Sequence, residues 1–294
     1  MTPTATDSVT ATIDAPGATL AYDVRRSQAT TEPPLVMIGS PMGAAGFTTL
    51  AGHFADRTVV TYDPRGSDRS VKADPMDASP PEVHADDVHR VIQAIGGGPV
   101  DLFASSGGAV NALALVARYP DDVRTLVAHE PPLVFALPDR EHARAAMLAI
   151  HATYQRSGWG AGMAHFIALT SHVGELTADW ATQPGPDPAM FGMPTEDDGS
   201  RTDPLLGGNM LTVTDFEPDF NAIRVAPTRI VVAVGAESES QVASRGGYAV
   251  ARHLGSEPVI FPGDHGAFMG GEYGQVGKPD EFAAKLRQVL SAAS

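Results

Sequence analysis

The stretch Val100-Asp-Leu-Phe-Ala-Ser-Ser-Gly-Gly-Ala-Val110 could carry covalent chemistry. An apolar run, Val100 to Ala104, reads as a short buried strand, and a helical pattern from Val110 to Tyr119 follows at once. Between them stands Ala104-Ser105-Ser106-Gly107-Gly108. A strand-to-helix turn this tight needs small residues around its central serine, and it presents that hydroxyl at a helix N-terminus, where backbone N–H groups favour developing negative charge. The usual form is G-x-S-x-G; here Ala104 takes the place of the first Gly, at the expense of one methyl group. The competing reading is an ordinary Gly-rich connection, because short Ser/Gly patterns recur by chance. A serine hydroxyl also needs an adjacent base to act as a nucleophile. The chain has ten histidines, so spacing alone does not single one out. His84 and His89 fall on a helical stretch before the turn and read as solvated. His129 falls at a strand end beside the turn, as a structural histidine or a substrate contact.

Composition excludes several other chemistries. With 20 Lys and Arg against 35 Asp and Glu, the 294-residue chain carries a formal charge of −15. That opposes binding to nucleic acid and to anionic membrane surfaces. The absence of cysteine removes disulfides and thiolate metal sites. No His/Asp/Glu cluster has metal-ligand spacing, so neither a metal nor another cofactor is expected. Gly96-Gly97-Gly98 precedes a strand, not a helix, and so is not a phosphate loop. Met1 to Thr12 is Ser/Thr/Ala-rich and looks frayed. It lacks a basic or apolar leader segment, and no stretch reads as membrane-spanning, which makes a cytoplasmic protein the expectation.

The elements that must position Ser106 alternate. Strands are expected over Ala11–Ala15 and Thr19–Arg26, joined by the turn Ala15-Pro16-Gly17. Leu35–Ile38 and Thr58–Tyr62 are continuous apolar runs, the mark of strands buried on both faces. Glu82–Ile95 reads as an amphipathic helix, and Arg124–His129 as the strand after the Ser106 unit. Strands alternating with helices imply parallel β-α-β units, hence an α/β class with a mainly parallel sheet and flanking helices. From Leu133 to Val225 no strand pattern is visible. Helices are expected at Leu137–Gln155 and Gly162–Leu169, followed by a Pro/Gly/Met/Asp-rich stretch. We read residues 133–225 as a helical lid between two core segments, 1–132 and 226–294. Strand Thr228–Gly235, helix Gln241–Leu254, strand Pro258–Phe261 and helix Asp280–Leu290 complete the chain.

In this order the chain resembles the α/β-hydrolase family over nearly its whole length. The Ser106 turn, the loop Asp63-Pro-Arg-Gly-Ser-Asp-Arg-Ser70, the lid after the sixth expected strand and Gly263-Asp264-His265-Gly266 carry the resemblance. It implies Ser106 as nucleophile, His265 as general base, and an oxyanion hole from the N–H of Gly107 and of Ser40 or Met42, with Ser40 preferred. The family's frequent Asp after the penultimate strand is replaced here by Ser238, with Glu237 and Glu239 out of register. His129-Glu130-Pro131-Pro132 supplies an alternative. It is similar to the turn of lactonases acting on resorcylic macrolactones such as zearalenone, and implies Glu130 as the acid. The implied function is hydrolysis of a carboxylic ester or lactone without a cofactor, on a small apolar substrate. Met42, His129, Met163 and Trp180 are expected at the substrate, and a homodimer is left open. A C–C bond hydrolase of diketones with the same three residues, or a ligand-binding protein without turnover, would look the same.

Overall fold

The computed structural model describes residues 8–28, 30–76 and 78–292. The strands are β1 (Ser8–Ala15), β2 (Ala18–Arg25), β3 (Leu35–Ile38), β4 (Val59–Tyr62), β5 (Val71–Lys72), β6 (Val100–Ser105), β7 (Val123–His129), β8 (Arg229–Gly235) and β9 (Val259–Phe261). They form one sheet in the order β1-β2-β4-β3-β6-β7-β8-β9, with the two-residue β5 paired to β2. β1 and β2 are antiparallel, as are β2 and β4; from β4 to β9 neighbours are parallel. Residues 8–12, expected to fray, are held by the β1 pairing, from Ser8 opposite Arg25 to Thr12 opposite Ala21.

β3, β4 and β6 are buried along their whole length; β3 is wholly apolar, and the Asp101 that interrupts β6 is paired with Arg57 and Arg124. Helices cover both faces: α1 (Thr48–Gly52), α2 (Pro81–Ala94), α3 (Gly107–Arg118), α7 (Val242–Leu254) and α8 (Pro279–Ser291). One core layer joins Val88, Val91 and Ile92 of α2 to Leu113 and Val116 of α3 and to one sheet face. The other sets Phe103 of β6 and Phe261 of β9 against Phe282 and Leu286 of α8.

Between β7 and β8 lie α4 (Arg140–Thr170), α5 (Met210–Thr214), α6 (Phe220–Val225) and short helical turns; the described residues there contain no strand. The two helices expected at 137–155 and 162–169 run together as α4, whose backbone breaks at Gly158 (φ 84°, ψ −177°). Only glycine takes that conformation readily, and a Cβ there would lie 2.4 Å from the Asp197 carboxylate. The lid has a core of its own, with Met147, Ile150, Tyr154, Leu169 and Leu206, which extends into Val242 and Ala249 of α7. The lid is therefore packed onto the main body and not merely tethered to it. No helix among the described residues is long and apolar enough to cross a membrane.

Candidate active site

The turn between β6 and α3 is as tight as its sequence implies. Ser106 takes φ 58°, ψ −131°, a region that side chains enter at about 1–3 kcal/mol of strain. The backbone is held there from both sides, since Ser106 N–H donates to the carbonyl of His129 (3.0 Å) and Ala109 N–H to that of Ser106 (2.9 Å). The glycines answer a close approach of backbone. A Cβ at Gly108 would lie 2.8 Å from Gly39 Cα, and one at Gly107 would lie 2.7 Å from the Ser40 carbonyl oxygen. The start of α3 thus rests on the loop after β3, which brings the Gly107 and Ser40 backbones together. That loop is fixed in turn by Asp63, which accepts hydrogen bonds from Ala44 N–H (2.8 Å) and from Arg69 Nε (2.6 Å). Arg65, in the same Asp63–Ser70 loop, makes a buried two-point pair with Asp87 of α2. The loop is a brace.

Glu130 follows β7, also at positive φ (47°), with its N–H on the Ala233 carbonyl of the adjacent β8 (2.9 Å). Its side chain is fully buried. Oε1 accepts from Gly235 N–H (2.8 Å), and Oε2 lies 2.6 Å from His265 Nδ1. Burial pushes this carboxyl's pKa up, but the His265 hydrogen bond and these surroundings outweigh it and hold the group down at about 2. The fully buried Ser238 lies beside the same carboxylate, so the loop that usually offers an Asp contributes a hydroxyl. Glu237 turns away to pair with Lys278, and Glu239 is exposed.

Ser106 and His265 line one cavity of about 400 Å³ under the lid, with Ser40, Met42 and Gly107. No hydrogen bond closes between Ser106 and His265 among the described contacts; such contacts are often long until substrate binds. The cavity's roof comes from Met147, Phe166 and Leu169 of α4 and from Met210 and Val213 of α5.

Three expected substrate contacts fall elsewhere. Met163 packs on the lid's own core, as does Trp180, which stacks on His165 (centroids 5.0 Å apart). Which face of a lid helix meets the cavity depends on packing that sequence periodicity does not reveal. His129 is fully buried behind the site, with Nδ1 3.1 Å from Ser105 Oγ and its ring 5.8 Å from that of His265. Sequence reasoning also missed Met147 and Phe166, which carry no signal beyond their apolar character.

Residues 33–157 match the family model described as alpha/beta hydrolase fold. Over 257 residues the chain is 30% identical to the uncharacterized hydrolase YraK of Bacillus subtilis (strain 168), covering 86% of this chain and 88% of that one. The chain belongs to the α/β-hydrolase family. Among solved structures, this hydrolase superposes on a thermophilic esterase from Thermogutta terrifontis with a TM-score of 0.66 at 18% identity, over 97% of this chain and 98% of that one. It superposes on the enol-lactonase from Burkholderia xenovorans LB400 with a TM-score of 0.66 at 16% identity, over 96% of this chain and 100% of that one. At these identities the likeness concerns the fold alone.

His84 of this hydrolase is buried, not solvated, because it shares a helical face with Val88, Val91 and Ile95. Burial, aided by nearby Arg65, pushes its pKa down to about 3, and burial above all pushes that of His129 down to about 4. Unfolding restores both to about 6.5. The unfolded chain therefore binds more protons as pH falls below about 6.5, and stability drops with it until the folded pKa is reached. Each histidine should contribute a loss on the order of 1.4 kcal/mol per pH unit in that window. Denaturant unfolding at pH 7 and pH 5 should show His84→Gln losing less stability over that interval than wild type. Equal losses would mean His84 is not held neutral.

Proposed function

We propose that this α/β hydrolase cleaves a carboxylic ester or lactone through an acyl-enzyme, with Ser106 as nucleophile, His265 as base and Glu130 as acid. The observation that carries the reading is the 2.6 Å contact from the buried Glu130 carboxylate to His265 Nδ1, with His265 and the strained Ser106 on one cavity wall. A carboxylate on Nδ1 fixes the tautomer that leaves Nε2 free to accept a proton. Nε2 takes the Ser106 proton as Oγ attacks the carbonyl carbon, and Glu130 stabilises the imidazolium so formed. The tetrahedral oxyanion is received by the N–H of Gly107 and of Ser40. His265 then protonates the leaving alcohol and afterwards activates water, which releases the acid. Metal and cofactor have no part in this route.

The cavity is within the usual range for a small-molecule site and is walled mainly by apolar side chains. This supports an apolar substrate. p-Nitrophenyl acetate should give a burst followed by steady turnover, and an aryl phosphonate should label Ser106 and stop it. Labelling at another residue, or no turnover on any ester, would sink the reading. Phe166 and Met147 replace Met163 and Trp180 as the expected selectivity residues. Phe166→Ala should change the kcat/KM ratio between a bulky and a short ester by about tenfold, the scale of a few methylenes in an apolar pocket. An unchanged ratio would confine Phe166 to packing.

A further inference from the structure

The wall of the Ser106 cavity is uniform in one respect. Among the described residues, His265 is the only side chain on it that can carry a charge. The inner surface is apolar, from Met42 and Phe268 on the main body and from Met147, Phe166, Met210 and Val213 on the lid. The polar residues on the wall are uncharged, and two of them bond back to the lid: Thr214 Oγ1 donates to the Met210 carbonyl (2.7 Å) and Thr170 Oγ1 to that of Ile167 (3.1 Å). Arginines on the elements around the cavity are engaged elsewhere, Arg144 of α4 with the exposed Asp215 and Arg245 of α7 with Asp139.

An ionised group that moves from water onto such a wall loses its hydration and finds no opposite charge, which is strongly unfavourable. An anion fares worst. The buried Glu130 carboxylate stands charged behind His265 at the reacting end. The chain as a whole carries −15, which adds repulsion on approach. A neutral ester of the same shape meets neither obstacle.

We propose that the cavity selects esters or lactones that are uncharged in both their acyl and alcohol parts, and turns away those with a free carboxylate in the part that the lid covers. This rests on the ester or lactone reading above. Small diesters are then cut once. A dimethyl diester and one water give one methanol and one half-ester, whose new carboxylate forms at Ser106, in front of Glu130, so that the half-ester leaves. Its second ester group does not return to Ser106, because the charge at the other end must then enter the apolar part of the cavity.

Dimethyl and monomethyl adipate test this at pH 8, where the half-ester is ionised. Proton NMR of the wild-type reaction should show dimethyl adipate passing to monomethyl adipate, with kcat/KM for the half-ester lower by about a hundredfold or more, the scale of one unpaired buried charge. Methyl hexanoate, neutral and similar in length, should be hydrolysed within about tenfold of dimethyl adipate. A cation on the wall should relax the choice. Gln241→Arg or Leu205→Arg, both at half-buried wall positions, should cut the diester-to-half-ester ratio by about tenfold or more. Wild-type values within about fivefold for the two adipates would overturn the proposal whether or not the variants fold. Methyl hexanoate as slow as the half-ester would do so too, as would a ratio unmoved by both variants in folded form. Ligand-observed NMR of the two adipates with Ser106→Ala protein separates the two claims. Tighter binding of the diester, without turnover of any ester by the wild type, would sink the hydrolytic reading alone. Turnover with equal rates and equal binding would sink the charge selection alone.

Discussion

Ser106→Ala is expected to lower kcat on a simple ester by about four to six orders of magnitude, the range seen when the nucleophile of a Ser-His-acid group is removed. The covalent route needs Oγ, and none of the other hydroxyl residues on the wall (Ser40, Ser105, Thr170, Ser171 and Thr214) occupies the turn that presents a side chain at the start of α3. What remains should be the weak catalysis that the oxyanion donors and binding supply. The fold should be spared. Alanine keeps the Cβ, so the strain at φ 58° is unchanged, and the turn is held by the backbone bonds to His129 and Ala109. The thermal midpoint should therefore shift by only a few degrees, the effect of about 1 kcal/mol or less in a chain of this size. Retention of more than a small fraction of activity in protein free of contaminating esterase would exclude Ser106 as the nucleophile.

How far the sequence foretold this site depended on whether local rules or long-range packing decided each part. The strands β3, β4 and β6 were legible because burial on both faces demands mainly apolar runs, which tolerate only Thr61 in β4 and Asp101 and Ser105 in β6. The turn at Ser106 was legible because its small neighbours have a steric cause, now visible as the 2.7 and 2.8 Å approaches at Gly107 and Gly108. Other features had no local signature. β5 is two residues long and exists only through its pairing with β2. His84 looked like a polar position until its phase with Val88 and Val91 placed it inside. The lid's wall could not be read, because α4 is apolar on more than one side. Met147 and Phe166 line the cavity, whereas Met163 and Trp180 pack into the lid. Glu130 and His265 are 135 residues apart and meet through the order of β7, β8 and β9 in the sheet. Resemblance suggested that pair; the sheet order brings the two side chains together.

Glu130→Gln should lower kcat by about two to four orders of magnitude, less than loss of the nucleophile, as for triad acids elsewhere. The reason is electrostatic. Glutamine keeps the length of the side chain and can still accept from Gly235 N–H or from His265 Nδ1. It cannot offset the positive charge that His265 gains as Ser106 attacks, and its amide can also donate to Nδ1, which selects the wrong tautomer. Serine at 238 cannot substitute, because a hydroxyl carries no charge to stabilise an imidazolium. Glu237→Gln and Glu239→Gln should each leave kcat within roughly tenfold of wild type, as expected for carboxylates outside the triad; Glu237 is occupied by Lys278, and Glu239 is exposed. A Glu130→Gln enzyme with near-normal kcat, beside a Glu237 or Glu239 variant that is inactive, would return the acid to the loop after β8.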